Sequence, residues 1–157
     1  MKGETTAVFA ERFGWPGGLR YPLAIGHRGA CGHERENTLA SFSRASDLGA
    51  EMWELDARLT RDGICVVSHD DSLQPVFGVD ARISDLTAAE LNGLPGVAVP
   101  TFSEVAALAR TRGAGLYVEI KAPEAAPLVW RHLEAEDQRF AAFGSFDVDP
   151  IRLLCEA

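Results

Sequence analysis

Met52-Trp53-Glu54-Leu55-Asp56-Ala57-Arg58 reads as a β-strand with two different faces. Side chains alternate across a strand, so Trp53 and Leu55 turn one way while Glu54 and Asp56 turn the other, about 7 Å apart. The apolar face asks for covering helices, and the acidic face asks for a polar interior. Gly115 to Lys121 repeats the arrangement, with Val118 and Ile120 opposite Glu119 and Lys121. Outward from these two segments, short apolar runs alternate with helical patterns, the signature of βα units and a parallel sheet. The fold class is therefore α/β. Strands are predicted at residues 23–27, 52–58, 64–69, 115–121 and 140–145, five in all.

The helices carry start and stop signals. Leu39, Phe42 and Ala45 form an apolar face after Asn37, which is the predicted N-cap, and Gly49 supplies the stop. Thr87-Ala88-Ala89-Glu90 and Thr101-Phe102-Ser103-Glu104 both match the capping box, and the second helix runs to Gly113. Pro123 and Pro150 suit the first turn of a helix, with Asp149 as the expected cap of the last one. Residues 1–22, rich in Gly and Pro around Gly14-Trp15-Pro16-Gly17-Gly18, lack a period and read as a leader before a domain spanning residues 23–157.

Length and composition bound the answer. A chain of 157 residues supplies one domain. It falls short of the roughly 200 to 250 residues of a complete (β/α)8 barrel. A net charge of −8 argues against a general nucleic-acid binder, which needs a basic stripe, and an anionic ligand would require a local cation. Cys31, Cys65 and Cys155 are odd in number and form no C-x-x-C pair, which fits a reducing compartment. No apolar run approaches the ~18 residues of a membrane span, and the N-terminus lacks a secretory pattern. A cytoplasmic location is expected.

Polar residues fall at the C-terminal ends of the predicted strands, where parallel α/β proteins build their sites. These are His27 and Arg28, Glu54 and Asp56, His69 and Asp70, and Glu119 and Lys121. With Glu54, Asp56 and Glu119 converging on one interior, each pair at that separation repels by about 2 kcal/mol at an effective dielectric near 20. Something positive must occupy that volume. Lys121 offsets part of the charge, and a hard divalent cation such as Mg2+ or Ca2+ suits three carboxylate ligands. The plainer alternative for Glu54 and Asp56 is pairing with Arg58 or Arg61, and for Glu119 a simple salt bridge to Lys121. Two histidines across a site can serve as general base and general acid, against the alternative of core hydrogen bonding. His33 and His132 fit solvated or packing roles. Arg28 suits a bidentate phosphate clamp, or an ion pair with Glu36 or Glu54. Asp70 and Asp71 read as a turn-forming pair.

In order, Gly26-His27-Arg28-Gly29-Ala30, Glu36-Asn37-Thr38, Glu54-Leu55-Asp56, Thr60-Arg61-Asp62-Gly63, Ser68-His69-Asp70, Pro100-Thr101-Phe102, Glu119-Ile120-Lys121 and Ser145-Phe146-Asp147 resemble the glycerophosphodiester phosphodiesterase family. The resemblance implies a TIM-barrel hydrolase that uses a divalent cation to cleave a small-molecule glycerophosphodiester to glycerol 3-phosphate and an alcohol, a reaction of lipid and glycerol metabolism. It makes His27 and His69 the acid/base pair, Glu54, Asp56 and Glu119 the metal ligands, and Arg28 and Lys121 the phosphate contacts. Glu36 and Asn37 match the Glu-Asn pair of the family's first loop. In the mechanism it implies, the glycerol 2-hydroxyl attacks phosphorus and a cyclic phosphate is then hydrolysed.

Three departures stand out. Arg35 replaces the usual Pro before Glu-Asn-Thr, which is expected to loosen the first loop. Ser72 to Val76 lack the family's Asp-Arg-Thr segment. The predicted strands make about five βα units of the family's eight, so the sequence is expected to be a truncated piece whose unpaired sheet edges favour self-association. Two alternatives follow: a catalytically incompetent barrel fragment acting only through association, and a TIM-barrel enzyme of the sphingomyelinase D type.

Overall fold

The computed structural model describes residues 23–133 and 141–156. The predicted leader and Phe140, at the start of the last predicted strand, lie outside the described residues. The elements are β1 (Ile25–Gly26), α1 (Leu39–Asp47), β2 (Met52–Leu59), β3 (Cys65–Val67), α2 (Gln74–Phe77), α3 (Ala88–Asn92), α4 (Phe102–Arg112), β4 (Gly115–Ile120), α5 (Ala126–His132), β5 (Ala141–Gly144) and α6 (Val148–Glu156). Short 3-10 turns add Ile83–Asp85 and Pro123–Ala125.

Strands β1, β2, β4 and β5 run parallel in that spatial order, as expected of βα units. The third predicted strand departs from the expectation. β3 pairs antiparallel with β2 through Ala57 and Val67, Arg58 and Val66, and Leu59 and Cys65. The parallel strands among the described residues therefore number four, not five. The reason is the connection: residues 60–64 cannot make a parallel crossover, which needs roughly a dozen residues or more. Instead the Thr60 amide donates to the Ile64 carbonyl (3.0 Å), and Gly63 adopts a left-handed φ of 76°. Asp62-Gly63 between two apolar runs is a hairpin signal.

Trp53, Leu55, Val118 and Ile120 all face the helical layer and are buried, as alternation requires. Trp53 stacks on Phe42 of α1 with ring centroids 5.3 Å apart and donates from Nε1 to Ser46 Oγ at 3.1 Å. α4 contributes Phe102, Val105, Ala106 and Ala109 to the same core. Both predicted capping boxes form, and Gly113 ends α4 in the left-handed conformation. Two caps differ from expectation. Thr38, not Asn37, caps α1 by accepting from the Ser41 amide, because Asn37 turns inward. Asp147, not Asp149, accepts the first-turn amide of α6, since that helix already starts at Val148.

Residues 72–99 leave the sheet after β3 and return at Pro100, whose carbonyl accepts from Val67 at 2.9 Å. This excursion packs a second small core in which Val66, Leu73, Ile83 and Leu91 are buried. It is pinned by Arg61, which donates to the Asp85 carbonyl (2.7 Å) and to Glu90 (2.8 Å), and by Asp71. Asp71 accepts from the Ser84 amide and hydroxyl and from Arg82 Nε, so it is a structural turn residue as expected. No helix among the described residues is long and apolar enough to cross a membrane.

Gly29 has φ +80, and a Cβ there would lie 2.3 Å from Ser41 Oγ and 2.7 Å from the Ser41 carbonyl carbon. Gly29→Ala is expected to lower stability by about 2 kcal/mol or more, measured by urea unfolding. Burial pushes the Asp71 carboxyl up, but Ser84 and Arg82 outweigh it and hold it below the usual carboxylate range. A carboxyl lowered on folding stabilises the native state above its unfolded-state value, and that contribution is lost as pH falls through the lowered one. Asp71→Asn is therefore expected to cost about 1 kcal/mol near neutral pH. The gap from the parent chain should close as unfolding is repeated below pH ~4.

Candidate active site

The acidic residues converge because the sheet register places them side by side. Asp56 of β2 is the lateral partner of Glu119 of β4, and Glu54 is two residues before it on the same face. One carboxylate oxygen from each of Glu54, Asp56 and Glu119 lies within 4.8 Å of the others. This is closer than the roughly 7 Å that separates alternate residues of one strand, and it raises each repulsion to about 3 kcal/mol at the same effective dielectric.

The compensating groups come from three places. Lys121 Nζ lies 2.5 Å from Glu119 Oε1 and 3.2 Å from Asp56 Oδ1. Asn37 donates from Nδ2 to Asp56 Oδ2 at 2.9 Å. The Arg28 amide donates to Glu54 Oε2 at 2.8 Å, while its guanidinium pairs with Glu36 at 3.0 Å and lies 3.7 Å from Asp56 Oδ2. Burial pulls the Arg28 guanidinium pKa down, but Glu36, Asp56 and Glu54 outweigh it and hold it above the ordinary arginine value. Burial pushes the Glu54 carboxyl above its ordinary range and the Asp56 charge adds to this, with the Arg28 amide opposing.

The cluster suits a divalent cation. Asp56 is fully buried, yet its Oδ1 makes no hydrogen bond and faces only the Lys121 ammonium, an ion pair at 3.2 Å. Glu36, Glu54, Asp56 and Glu119 outnumber Arg28 and Lys121 by two charges. A hard cation with oxygen ligands fits both observations. The plainer alternatives do not hold for β2, since Arg58 donates to the His69 carbonyl (2.8 Å) and Arg61 serves the excursion.

The first loop is built to aim Arg28. Arg28 and Asn37 both adopt left-handed backbone, with φ of 50° and 54°, which costs of order 1 kcal/mol or more for a side chain other than Gly. The Arg28 carbonyl accepts from the Asn37 amide (3.0 Å) and the Ser41 hydroxyl (2.9 Å), so the strained conformation is held from both sides.

His27 is on the same rim, with Nε2 3.9 Å from Glu54 Oε2 and its side chain 66% exposed. The hairpin, rather than a parallel strand end, delivers His69: β3 runs back along β2, and the Ser68 amide donates to the Asp56 carbonyl at 2.9 Å. His69 Nδ1 lies 3.1 Å from Asp70 Oδ1. A carboxylate needs a donor, so this contact places the proton of a neutral His69 on Nδ1 and leaves Nε2 with the lone pair. Asp70 is thus an orienting residue that the turn reading missed, and adjacency to His69 was its only sequence signal. His132 has the packing role expected: Nδ1 donates to the Leu128 carbonyl (2.7 Å) and its ring meets Phe102 edge-on. His33 is an exposed loop residue. Phe146, 98% exposed, places its ring 5.8 Å from Lys121 Nζ. Together with Glu119, Pro123 and Asp147 they line a depression of about 140 Å³.

Residues 27–156 match the glycerophosphoryl diester phosphodiesterase family. A glycerophosphodiester phosphodiesterase from Caldanaerobacter subterraneus is 36% identical over 109 residues, covering 63% of this chain and 45% of its own. The solved structure of a glycerophosphodiester phosphodiesterase from Thermotoga maritima superposes with a TM-score of 0.76 at 35% identity, covering 88% of this chain and 61% of its own. A phosphodiesterase from Oleispira antarctica, solved with the product sn-glycerol-3-phosphate, gives 0.76 at 30% identity, covering 86% of this chain and 63% of its own. The chain spans less than half the length of these curated relatives and about three fifths of the solved ones. The fold is that of the TIM-barrel phosphodiesterases, the family match sets aside the sphingomyelinase D alternative, and the chain belongs to the glycerophosphoryl diester phosphodiesterase family.

Proposed function

We propose that the protein hydrolyses glycerophosphodiesters to glycerol 3-phosphate and an alcohol with a bound Mg2+ or Ca2+. The single observation that carries this reading is the convergence of Glu54 and Asp56, both buried, with half-buried Glu119, including an Asp56 oxygen that makes no hydrogen bond, beside two histidines on a phosphodiesterase-family scaffold. Glu54, Asp56 and Glu119 would hold the cation, which supplies charge neutralisation at the phosphoryl oxygens when bound.

Arg28 and Lys121 bind the remaining phosphoryl charge, and Glu36 and Asn37 keep Arg28 and Asp56 aimed. One histidine accepts the proton of the attacking glycerol 2-hydroxyl as its oxygen bonds to phosphorus. The other donates a proton to the alcohol oxygen as that P–O bond breaks. The pair then exchanges roles while water opens the cyclic phosphate. His69 Nε2, freed by the Asp70 contact, is suited to the accepting role. The same proposal takes residue 23 as the start of the domain, uses β1 and β5, the edge strands among the described residues, for pairing with a second sheet, and assigns the protein to the cytoplasm, where its free cysteines stay reduced.

Titrating MgCl2 or CaCl2 into the chain is expected to raise its unfolding midpoint. At a hundred-fold excess over the dissociation constant the gain is about 2.7 kcal/mol. Glu54→Gln and Asp56→Asn should each remove the shift; a shift that persists in both variants counts against the cation site. With glycerophosphocholine and the whole protein, His27→Ala and His69→Ala are expected to lower kcat by about 10³-fold, followed by release of glycerol 3-phosphate. Undiminished turnover in chelator or in either variant would overturn the assignment.

A further inference from the structure

We propose that Arg35 is a positioning residue: it locks the 72–99 excursion onto the loop that carries Glu36 and Asn37, and so sets the affinity of the site for the phosphodiester. This rests on the function proposed above. The expectation that Arg35 loosens the first loop is reversed by its contacts. Its guanidinium carbon stacks 5.1 Å from the centroid of the Phe77 ring, and Nη1 donates to the Gly96 carbonyl at 3.1 Å. One side chain thereby grips the excursion near both ends of its second core, at α2 and just before Val97. Its own carbonyl accepts from the Thr38 hydroxyl at 2.7 Å, which ties its backbone to the cap of α1.

The next two residues are the ones that matter. Glu36 holds the Arg28 guanidinium, and Asn37, in its left-handed conformation, holds buried Asp56. The strut therefore ends one residue from Glu36, the partner of the Arg28 phosphate clamp. Arginine is suited to it because its planar head stacks on a ring while its edge donates in plane; a lysine ammonium can do one of these but not both. Arg35 does not touch the reacting atoms, so the strut acts on binding rather than on the chemical step.

The test compares Arg35→Ala, Arg35→Lys and Phe77→Leu in the whole protein, by hydrogen exchange and by steady-state kinetics on glycerophosphocholine. Arg35→Ala is expected to speed amide exchange in the first loop (residues 36–38) and in the excursion (residues 94–97) together, by about five-fold, the factor an exposed stacking contact supports. KM should rise by a similar factor while kcat stays within about two-fold; Arg35→Lys should keep a raised KM, and Phe77→Leu should follow in the same direction. Exchange accelerated in the excursion alone overturns the coupling, as does full rescue by lysine or a fall in kcat at constant KM. If the parent protein hydrolyses nothing, the function proposed above fails, and the paired exchange rates still decide whether the strut couples the two segments.

Discussion

Three carboxylates held within one small volume are the constraint on which the rest of the structure depends. Asp56 is fully buried and Glu54 nearly so. Charges taken out of water are tolerated only when paired and hydrogen-bonded. The parallel register of β2 and β4 makes Asp56 and Glu119 neighbours, and Lys121, two residues beyond Glu119 on the same face, reaches both. The strand pairing therefore creates both the repulsion and part of its remedy. What remains, a buried Asp56 oxygen that no hydrogen bond satisfies and a surplus of negative charge beyond what Lys121 and Arg28 offset, suits a divalent cation.

The first loop supplies the other part of the remedy at the cost of local strain. Arg28 and Asn37 occupy left-handed backbone that an unconstrained chain would avoid, and Gly29 lies where no side chain fits. Their reward is directional: the Arg28 amide and guanidinium serve Glu54, Glu36 and Asp56 at once, and Asn37 faces inward instead of capping the helix. Strain concentrated beside a set of converging polar groups is typical of a functional site.

The excursion after β3 is tied to the rest of the fold at several points. Arg61 and Asp62 hold it to the hairpin turn, Asp71 braces its start, and Arg35 joins it to the first loop. These contacts are mostly exposed and individually weak, each worth a fraction of a kcal/mol to about 1 kcal/mol. Their effect is cooperative because all of them fix one short segment with its own small core.

The sequence by itself determined which residues face the site. Alternation at Glu54-Leu55-Asp56 and Glu119-Ile120-Lys121 is a property of any strand, so the acidic face, the covering face beneath Trp53 and the capping boxes at Thr87 and Thr101 were legible without coordinates. Only the tertiary structure decided how the pieces meet. The direction of β3 followed from a connection too short for a crossover, the inward turn of Asn37 from the buried charge of Asp56, and the pairing of Asp70 with His69 from the hairpin that returns His69 to the level of β2. Arg35 is the clearest case: its partners, Phe77 and Gly96, lie far along the chain, and nothing local shows that they will be brought to it. Short-range periodicity encodes orientation, whereas the identity of a distant partner depends on packing that the whole fold sets.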